Sequence, residues 1–307
     1  MTIAFISHPD CALHDMGAHH PECPARLSAI QDQLLSSGLE FALRNYDAPL
    51  ATPEQLYRVH DRSYVDDIFQ RAPKDYGQIW LDPDTSMMAD SLNAALRAAG
   101  AVELGVELVM SGKEQAAFCN VRPPGHHAER ARTMGFCIFN NVAVGAAAAR
   151  DNFGIKKLAI LDFDVHHGNG TEDIFHNDPN VMFCSTFQHP FYPHTGADVI
   201  SEHIVNAPLA AGARGAEFKE AVNSHWLPKL HEFQPELVLI SAGFDAHVED
   251  DMASLCLTEQ DYSWVTKEIK TIADTYAKGR IVSTLEGGYA LSALGRSVVA
   301  HLNALLG

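Results

Sequence analysis

Positive charge is what this sequence has least of. Against 39 Asp and Glu stand only 22 Lys and Arg, a net charge of −17 with the histidines neutral. A chain so poor in cations is not built to track a phosphate backbone, which excludes nucleic acid as a direct partner. The surplus acid favours solubility and gives only a weak pull towards cationic substrates such as lysine side chains. Also missing is any CxxC pair or regular cysteine framework, the six cysteines standing at 11, 23, 119, 137, 184 and 256. Cys119, Cys137 and Cys184 lie in or beside apolar segments and read as buried free thiols, in keeping with a reducing compartment. No basic leader with a long apolar stretch opens the chain, and no run approaches the ~18 apolar residues needed to span a bilayer. A cytoplasmic protein without membrane contact is expected. No repeat with a period of roughly 20–50 residues and no low-complexity linker divides the chain, so one domain is expected. It would cover residues 1–307. Nothing in the sequence signals an oligomeric state.

What is present is alternation. Hydrophobic residues make up 47% of the chain, enough for a sizeable core. The short apolar runs IAFISH, AAFCNV, KLAILDFDV, VMFCSTF, ELVLISAGFD and RIVSTLEGG read as buried strands. Helical patterns separate them at 24–36, 85–110, 140–150, 216–232, 258–277 and 291–306. TPEQL reads as a capping box, with Thr52 as the N-cap, Pro53 at the first helical position and Gln55 three residues on. Near-continuous apolar strands alternating with helices imply an α/β fold, a parallel sheet covered on both faces. In such sheets ligands bind beyond the carboxyl ends of the strands. Polar residues gather at four of those ends, in RPPGHH, DFDVHHG, SAGFDAH and LEGGY.

In DFDVHHG, an extended segment puts Asp162, Asp164 and His166 on one side and Phe163, Val165 and His167 on the other. Carboxylate and imidazole are zinc ligands, and a catalytic zinc site takes three protein ligands and keeps a position open. Asp164 and His166 can supply two, and Asp245 at another strand end offers a third. A buried acid and histidine satisfied by backbone hydrogen bonds is the plainer alternative, but a second acidic strand end argues for a metal. His167 faces away and is expected to be structural. In RPPGHH, a rigid Pro-Pro-Gly turn pins His126 and His127, and neighbouring residues do not readily share one ion. A histidine pair beside a metal-bound water suits proton transfer. In LEGGYA, two glycines permit a sharp turn before Tyr289, whose phenol could donate to a developing oxyanion or simply pack as the last helix begins.

Together RPPGHH, GFCIFNN, LDFDVHHGNGT, SAGFDAH and LEGGY, with HHPECPARLSAI upstream, resemble the histone deacetylase family, which includes acetoin-utilisation proteins and acetylpolyamine amidohydrolases. The likeness runs from about Phe5 to Leu306, and Glu286 and Asn169 resemble the class II branch, with its bacterial-type amidohydrolases. The resemblance implies the arginase/deacetylase fold, a three-layer α/β/α sandwich around a parallel eight-stranded sheet. It implies zinc, or ferrous iron, on Asp164, His166 and Asp245, and removal of acetyl or other short acyl groups from lysine side chains or small amines by metal-activated water. His127 would be general base and acid, His126 its electrostatic partner bonded to Asp162, and Tyr289 the oxyanion stabiliser. A structural potassium would lie on Asp162, Ser185, Thr186 and the main chain of Asp164 and His166, and a second on Phe175, Asp178 and Val181. The substrate would meet Asp84 at the rim, Gly135, Phe136 and Tyr192 as tunnel walls, and Met252 and Gly288, with Arg26 lining the acetate exit.

Two departures stand out. Asn169 replaces the acid that class I enzymes place beside the second histidine, which should leave the His127 imidazolium less stabilised. Met252 stands where polyamine-specific relatives carry a glutamate, which disfavours polyamines. Three other readings carry less weight. A dinuclear manganese hydrolase on the related fold needs more carboxylate ligands than these strings supply. A non-catalytic acyl-lysine module could dispense with His127 and Tyr289, and both are present. A metal cluster on Cys11, His14, His19, His20 and Cys23 matches no standard zinc spacing.

Overall fold

The computed structural model describes residues 2–75, 77–199 and 201–307. Its strands are β1 (Ile3–Ser7), β2 (Leu43–Asp47), β3 (Ile79–Trp80), β4 (Ser86–Met87), β5 (Ala116–Cys119), β6 (Leu158–Asp162), β7 (Val181–Gln188), β8 (Ile204–Leu209), β9 (Leu237–Ala242) and β10 (Ile281–Leu285). Apart from the small antiparallel pair β3–β4, they form one eight-stranded sheet in the order β2-β1-β5-β10-β9-β6-β7-β8. Every pairing in that sheet is parallel. Its interior strands β5, β6, β7, β9 and β10 are buried at every residue, as strands covered on both faces must be.

The helices are α1 (Ala25–Ser37), α2 (Pro53–Leu56), α3 (Arg62–Arg71), α4 (Ser91–Met110), α5 (Asn141–Phe153), α6 (Asn169–Phe175), α7 (Gly215–Ala221), α8 (Leu227–Phe233), α9 (Glu259–Tyr276) and α10 (Leu291–Leu306). Two side-chain contacts establish the layers. Gly105 of α4 lies against Val282 and Ala117, whereas His301 of α10 bonds Ser283 and packs on Phe118. Val282 pairs with Ala117 and Ser283 with Phe118, and successive strand residues face opposite ways. The two helices therefore cover opposite faces of the sheet, giving the α/β/α sandwich. No helix among the described residues is long and apolar enough to cross a membrane.

The six apolar runs are strands, and the sheet gains β2 and β8 beside them. Both are edge strands with half-exposed, polar residues, and β8 carries Pro208, so neither has the apolar run that marks a buried strand. The helix expected from residue 85 begins at Ser91, because Ser86 and Met87 pair instead with Trp80 and Ile79. The helix expected over 216–232 is interrupted by a wide π turn at Val222–Trp226, just before Pro228, which has no amide proton to give the preceding turn. The capping box at Thr52 is formed in both directions.

Strand order is what builds the site. The four segments rich in acid, histidine and tyrosine follow β5, β10, β9 and β6, which are consecutive neighbours at the centre of the sheet. Parallel pairing sends all four out at the same edge. Elsewhere the packing leaves little slack: a Cβ at Gly100 of α4 would overlap the Pro49 carbonyl oxygen. Overpacking against backbone that cannot yield typically costs about 1–3 kcal/mol, so Gly100→Ala should destabilise by that amount in urea unfolding despite alanine's better helix propensity. Gly77→Ala, with open space at its Cβ, is the matched control and should be close to neutral.

Candidate active site

The loop after β6 turns Asp164 and His166 towards the loop after β9, which carries Asp245. Ligand atoms of these three buried residues lie within 4.8 Å of one another, the one such group of three among the described residues. His166 Nδ1 is 3.1 Å from Asp164 Oδ1 and 3.2 Å from Asp245 Oδ2. The remaining oxygens are tied to backbone: Asp164 Oδ2 accepts the Gly287 N–H at 2.8 Å, and Asp245 Oδ1 accepts the Val165 N–H at 2.9 Å. Asp245 Oδ2 alone is buried without a hydrogen-bond donor. Burial raises the Asp245 pKa to about 6, with the Asp164 charge adding to it. Burial opposes a charge on His166, yet the two carboxylates beside it raise its pKa to about 9. The cluster thus draws positive charge to a point between three N and O donors, the environment a divalent cation occupies. His167 turns away, bonded to Thr195 at 2.8 Å and Glu172 at 3.1 Å.

The two histidines after β5 have opposite electrostatic surroundings. His126 Nδ1 donates to Asp162 Oδ2 at 2.9 Å, and its Nε2 is 3.8 Å from Asp164 Oδ1. Burial works against its charge, but these carboxylates prevail and hold the His126 pKa well above the ordinary value. His127 meets an amide instead, Nδ1 lying 2.7 Å from Asn169 Oδ1. Burial, then the neighbouring charge of His126 and His166, push the His127 pKa well below the ordinary value. These surroundings favour the cation at His126 and the neutral ring at His127. Glu286 sets the loop that carries both, its Oε2 accepting the N–H groups of Gly125 at 2.6 Å and His126 at 3.1 Å.

Above the cluster opens a cavity of about 250 Å³. His126, His127, His166 and Gly287 line its base, and Phe136, Phe191, Tyr192 and Met252 its walls, with Asp84, Gly135 and Tyr289 also contributing. Tyr192 meets the His127 ring edge-on at 5.4 Å, and Phe191 stacks on His166 at 5.5 Å. Thr85 links wall to rim, its hydroxyl accepting the Phe136 N–H at 2.9 Å and donating to Asp84 at 3.0 Å. Burial holds the Tyr289 phenol well above its ordinary pKa, so it stays a donor. Gly288 is not among the lining residues; it is Gly287 that faces the cavity. The Gly288 carbonyl instead accepts from Arg26 Nε at 2.7 Å.

Similarity to known proteins agrees with this geometry. The histone deacetylase domain profile matches residues 20–305. This chain belongs to the histone deacetylase family. An uncharacterised protein of Synechocystis sp. is 38% identical over 99% of both chains. Histone deacetylase 14, chloroplastic, of Arabidopsis thaliana is 37% identical over 94% of this chain and 73% of its own. Polyamine deacetylase HDAC10 of Mus musculus is 36% identical over all of this chain, which spans 48% of that relative. Among solved structures, the HDA15 HD domain superposes with a TM-score of 0.92 at 33% identity, covering 100% of this chain and 88% of that one. The sandwich described above is the α/β fold of this family.

The other residues implied by the family resemblance fall as follows. Ser185 pairs with Asp162 across β6 and β7, and its hydroxyl is buried without a partner, with Thr186 buried beside it. Phe175, Asp178 and Val181 share one turn in which the Phe175 and Asp178 carbonyls accept N–H groups at 2.9 and 3.0 Å, while Arg150 pairs with the Asp178 carboxylate. Arg26 is wholly buried, 5.0 Å from the centre of the Tyr289 ring, and bonded to Glu22 and to the Glu286 and Gly288 carbonyls. The cysteine–histidine string near the N-terminus forms no ligand group among the described residues.

Several residues shaping the site escaped sequence reasoning. Asp250 accepts the N–H groups of Tyr289 at 2.6 Å and Ala290 at 2.9 Å, anchoring the turn that presents the phenol. Its only signal was a run of acids, Glu249 to Asp251, indistinguishable from a solvated loop. Glu22 is buried between Arg26 and Arg122, a pairing across 100 residues of sequence. Phe191 stood beside Tyr192 with nothing to rank it. Gly287 matters for space, because a Cβ there would overlap Asp245 Oδ2 and crowd Asp164 Oδ2. Should Asp164, His166 and Asp245 hold a divalent cation, Gly287→Ala would weaken its binding by about 10–100-fold in a competitive titration, as loss of supporting contacts does, while leaving the far-ultraviolet circular dichroism unchanged.

Proposed function

We propose that this chain is a zinc-dependent amidohydrolase that removes acetyl or other short acyl groups from lysine side chains or small amines. The observation that carries the reading is a buried Asp-His-Asp donor set at the base of an apolar-walled cavity, flanked by one cationic and one neutral histidine. The donors fit a divalent cation: Asp245 Oδ2 is buried without a donor and lies beside the His166 ring nitrogen. Asp164, His166 and Asp245 would hold it; an oxygen-rich set of this kind also accepts ferrous iron. When bound, the cation supplies Lewis acidity and makes water a better nucleophile near neutral pH. For potassium, the unpartnered Ser185 hydroxyl beside Asp162 and Thr186 supports one structural site; the turn at Phe175, Asp178 and Val181 is proposed as the second.

The side chains then divide the work. Phe136, Tyr192, Phe191 and Met252 hold the methylene stem of the acylated amine and keep bulk water out. His127 Nε2 takes a proton from water as the water oxygen bonds to the amide carbonyl carbon. Tyr289 donates a hydrogen bond to the carbonyl oxygen as it becomes an oxyanion, the kind of contact worth about 2.7–4 kcal/mol. His126, held cationic by Asp162, stabilises the same negative charge. The C–N bond breaks as His127 returns its proton to the departing nitrogen, and the carboxylic acid so formed gives its own proton to the amine, leaving a carboxylate and an ammonium. Arg26, below the Tyr289 ring, is the cation that the departing carboxylate would meet.

The dinuclear alternative is disfavoured by the single ligand group among the described residues. Polyamine specificity is favoured by the name of two relatives, the mouse and human HDAC10, but not by Met252, whose thioether offers no charge to a distal ammonium. A substrate panel separates these: an acetyl-lysine peptide should exceed an N-acetylpolyamine in kcat/KM, and the reverse order would reassign the substrate. With a fluorogenic acetyl-lysine amide, Tyr289→Phe should lower kcat by about 10²–10³-fold at unchanged zinc content. Full activity in the folded, metallated variant would refute the role of the phenol. Chelation should abolish turnover, and added zinc should restore it.

A further inference from the structure

His127 can work as a base at Nε2 only if its one ring proton sits on Nδ1, and what enforces that is a primary amide. An asparagine is ambiguous here: its carbonyl accepts, its NH₂ donates, and the two ends are nearly the same size. With the NH₂ end towards the ring, Nδ1 would be the bare nitrogen and the proton would sit on Nε2, leaving the ring no lone pair there. The orientation of Asn169 is set from its far side. Nδ2 lies 2.8 Å from Glu129 Oε1 and 3.4 Å from Met134 Sδ. Both are acceptors, and an ionised carboxylate has no proton to give, so a reversed amide would set Oδ1 against Glu129 with no donor between them. The NH₂ end must face Glu129, Oδ1 must face the ring, and Nδ1 must carry the proton.

We propose that Glu129 is a positioning residue of this active site, acting through Asn169 to hold His127 as the Nδ1–H tautomer. The proposal rests on the reading of His127 as the proton carrier. Glu129 is not among the residues lining the cavity and touches no reacting atom. It is itself well held. Arg132 donates to its Oε1 at 2.6 Å, its N–H donates to the Arg132 carbonyl at 2.9 Å, and its carbonyl lies 2.9 Å from His60 Nδ1. The His60 ring is fixed in turn by the Asn140 N–H, 2.9 Å from Nε2. The Arg132 side chain is 61% exposed, so this ion pair adds little to stability, and orienting Asn169 is the consequence that reaches the chemistry. Where a carboxylate bonded directly to the imidazole would need no help, the amide needs an acceptor-only neighbour, and Glu129 follows two residues after the base on the same loop.

The test uses the full chain with and without zinc, and reads the ring nitrogens of His127 by long-range ¹H–¹⁵N correlation, assigned by difference from His127→Gln. The wild-type ring should show a protonated Nδ1 and a bare Nε2. Glu129→Gln, which can present either end of its own amide, should give a mixture of tautomers. On an acetyl-lysine substrate it should lower kcat about 3–10-fold, in proportion to the competent fraction, with KM, zinc content and melting temperature unchanged. In the Asn169→Ala background there is no amide to orient, and Glu129→Gln should leave the residual kcat within about twofold. A wild-type ring protonated at Nε2, an unchanged ring spectrum in Glu129→Gln, or equal losses in both backgrounds would overturn the proposal. If the wild-type chain hydrolyses no acylated amine, the assigned function fails instead, and the ring spectra still decide what Glu129 does.

Discussion

Four carboxylates, those of Asp162, Asp164, Asp245 and Glu286, are essentially sealed from water at the carboxyl edge of the sheet. Like charges at short range in a medium of low dielectric repel strongly, and each must be met by a hydrogen-bond donor or a cation. The surrounding structure meets them mostly with backbone. Asp162 accepts the Asp164 N–H, Asp164 the Gly287 N–H, Asp245 the Val165 N–H, and Glu286 the Gly125 and His126 N–H groups. Because most of these donors belong to a different loop from their acceptor, the acids stitch together the loops after β5, β6, β9 and β10. One oxygen, on Asp245, is left facing the point where His166 and Asp164 also converge. Order in the loops and affinity for a cation therefore have one source.

The same charges set the contrast between the two histidines. His126 lies between two of the acids and is driven towards its cation; His127 is one residue further on, faces an amide, and feels His126 as a like charge. Their rings are 4.0 Å apart. Adjacent residues with opposite protonation preferences give a site that can stabilise negative charge and accept a proton at the same pH. The aromatic walls strengthen both effects by excluding the water that would screen them. Tyr289 completes the set from the fourth loop, held by Asp250 through two backbone N–H groups and by Arg26 beneath its ring.

Much of this was legible in the sequence, for reasons tied to particular residues. DFDVHHG was grouped correctly but for a different reason: the extended chain ends with β6 at Asp162, and a bend over 164–166 brings Asp164 and His166 together while His167 turns to Thr195 and Glu172. The β6 and β9 runs announce buried parallel strands, so their polar ends had to lie at a common edge. What stayed hidden depends on partners distant in the chain or on the absence of pattern. Glu22 and Arg122 form an ion pair only because the segment before α1 meets the loop after β5. Asp250 looked like any surface acid, and Glu129 like half of an exposed ion pair. The edge strands β2 and β8 were missed because an edge needs only one apolar face. Gly287 rather than Gly288 faces the cavity, a one-residue distinction that two successive glycines cannot express.

The central claim is that Asp164, His166 and Asp245 form one closed donor set for a single divalent ion. Anomalous diffraction at the zinc edge, from crystals grown with zinc, addresses it directly. One strong peak bonded to His166 Nδ1 and to a carboxylate oxygen of each aspartate, at about 2.0–2.2 Å, is expected. Zinc absent from that point, or two zinc peaks sharing the aspartates, would contradict it.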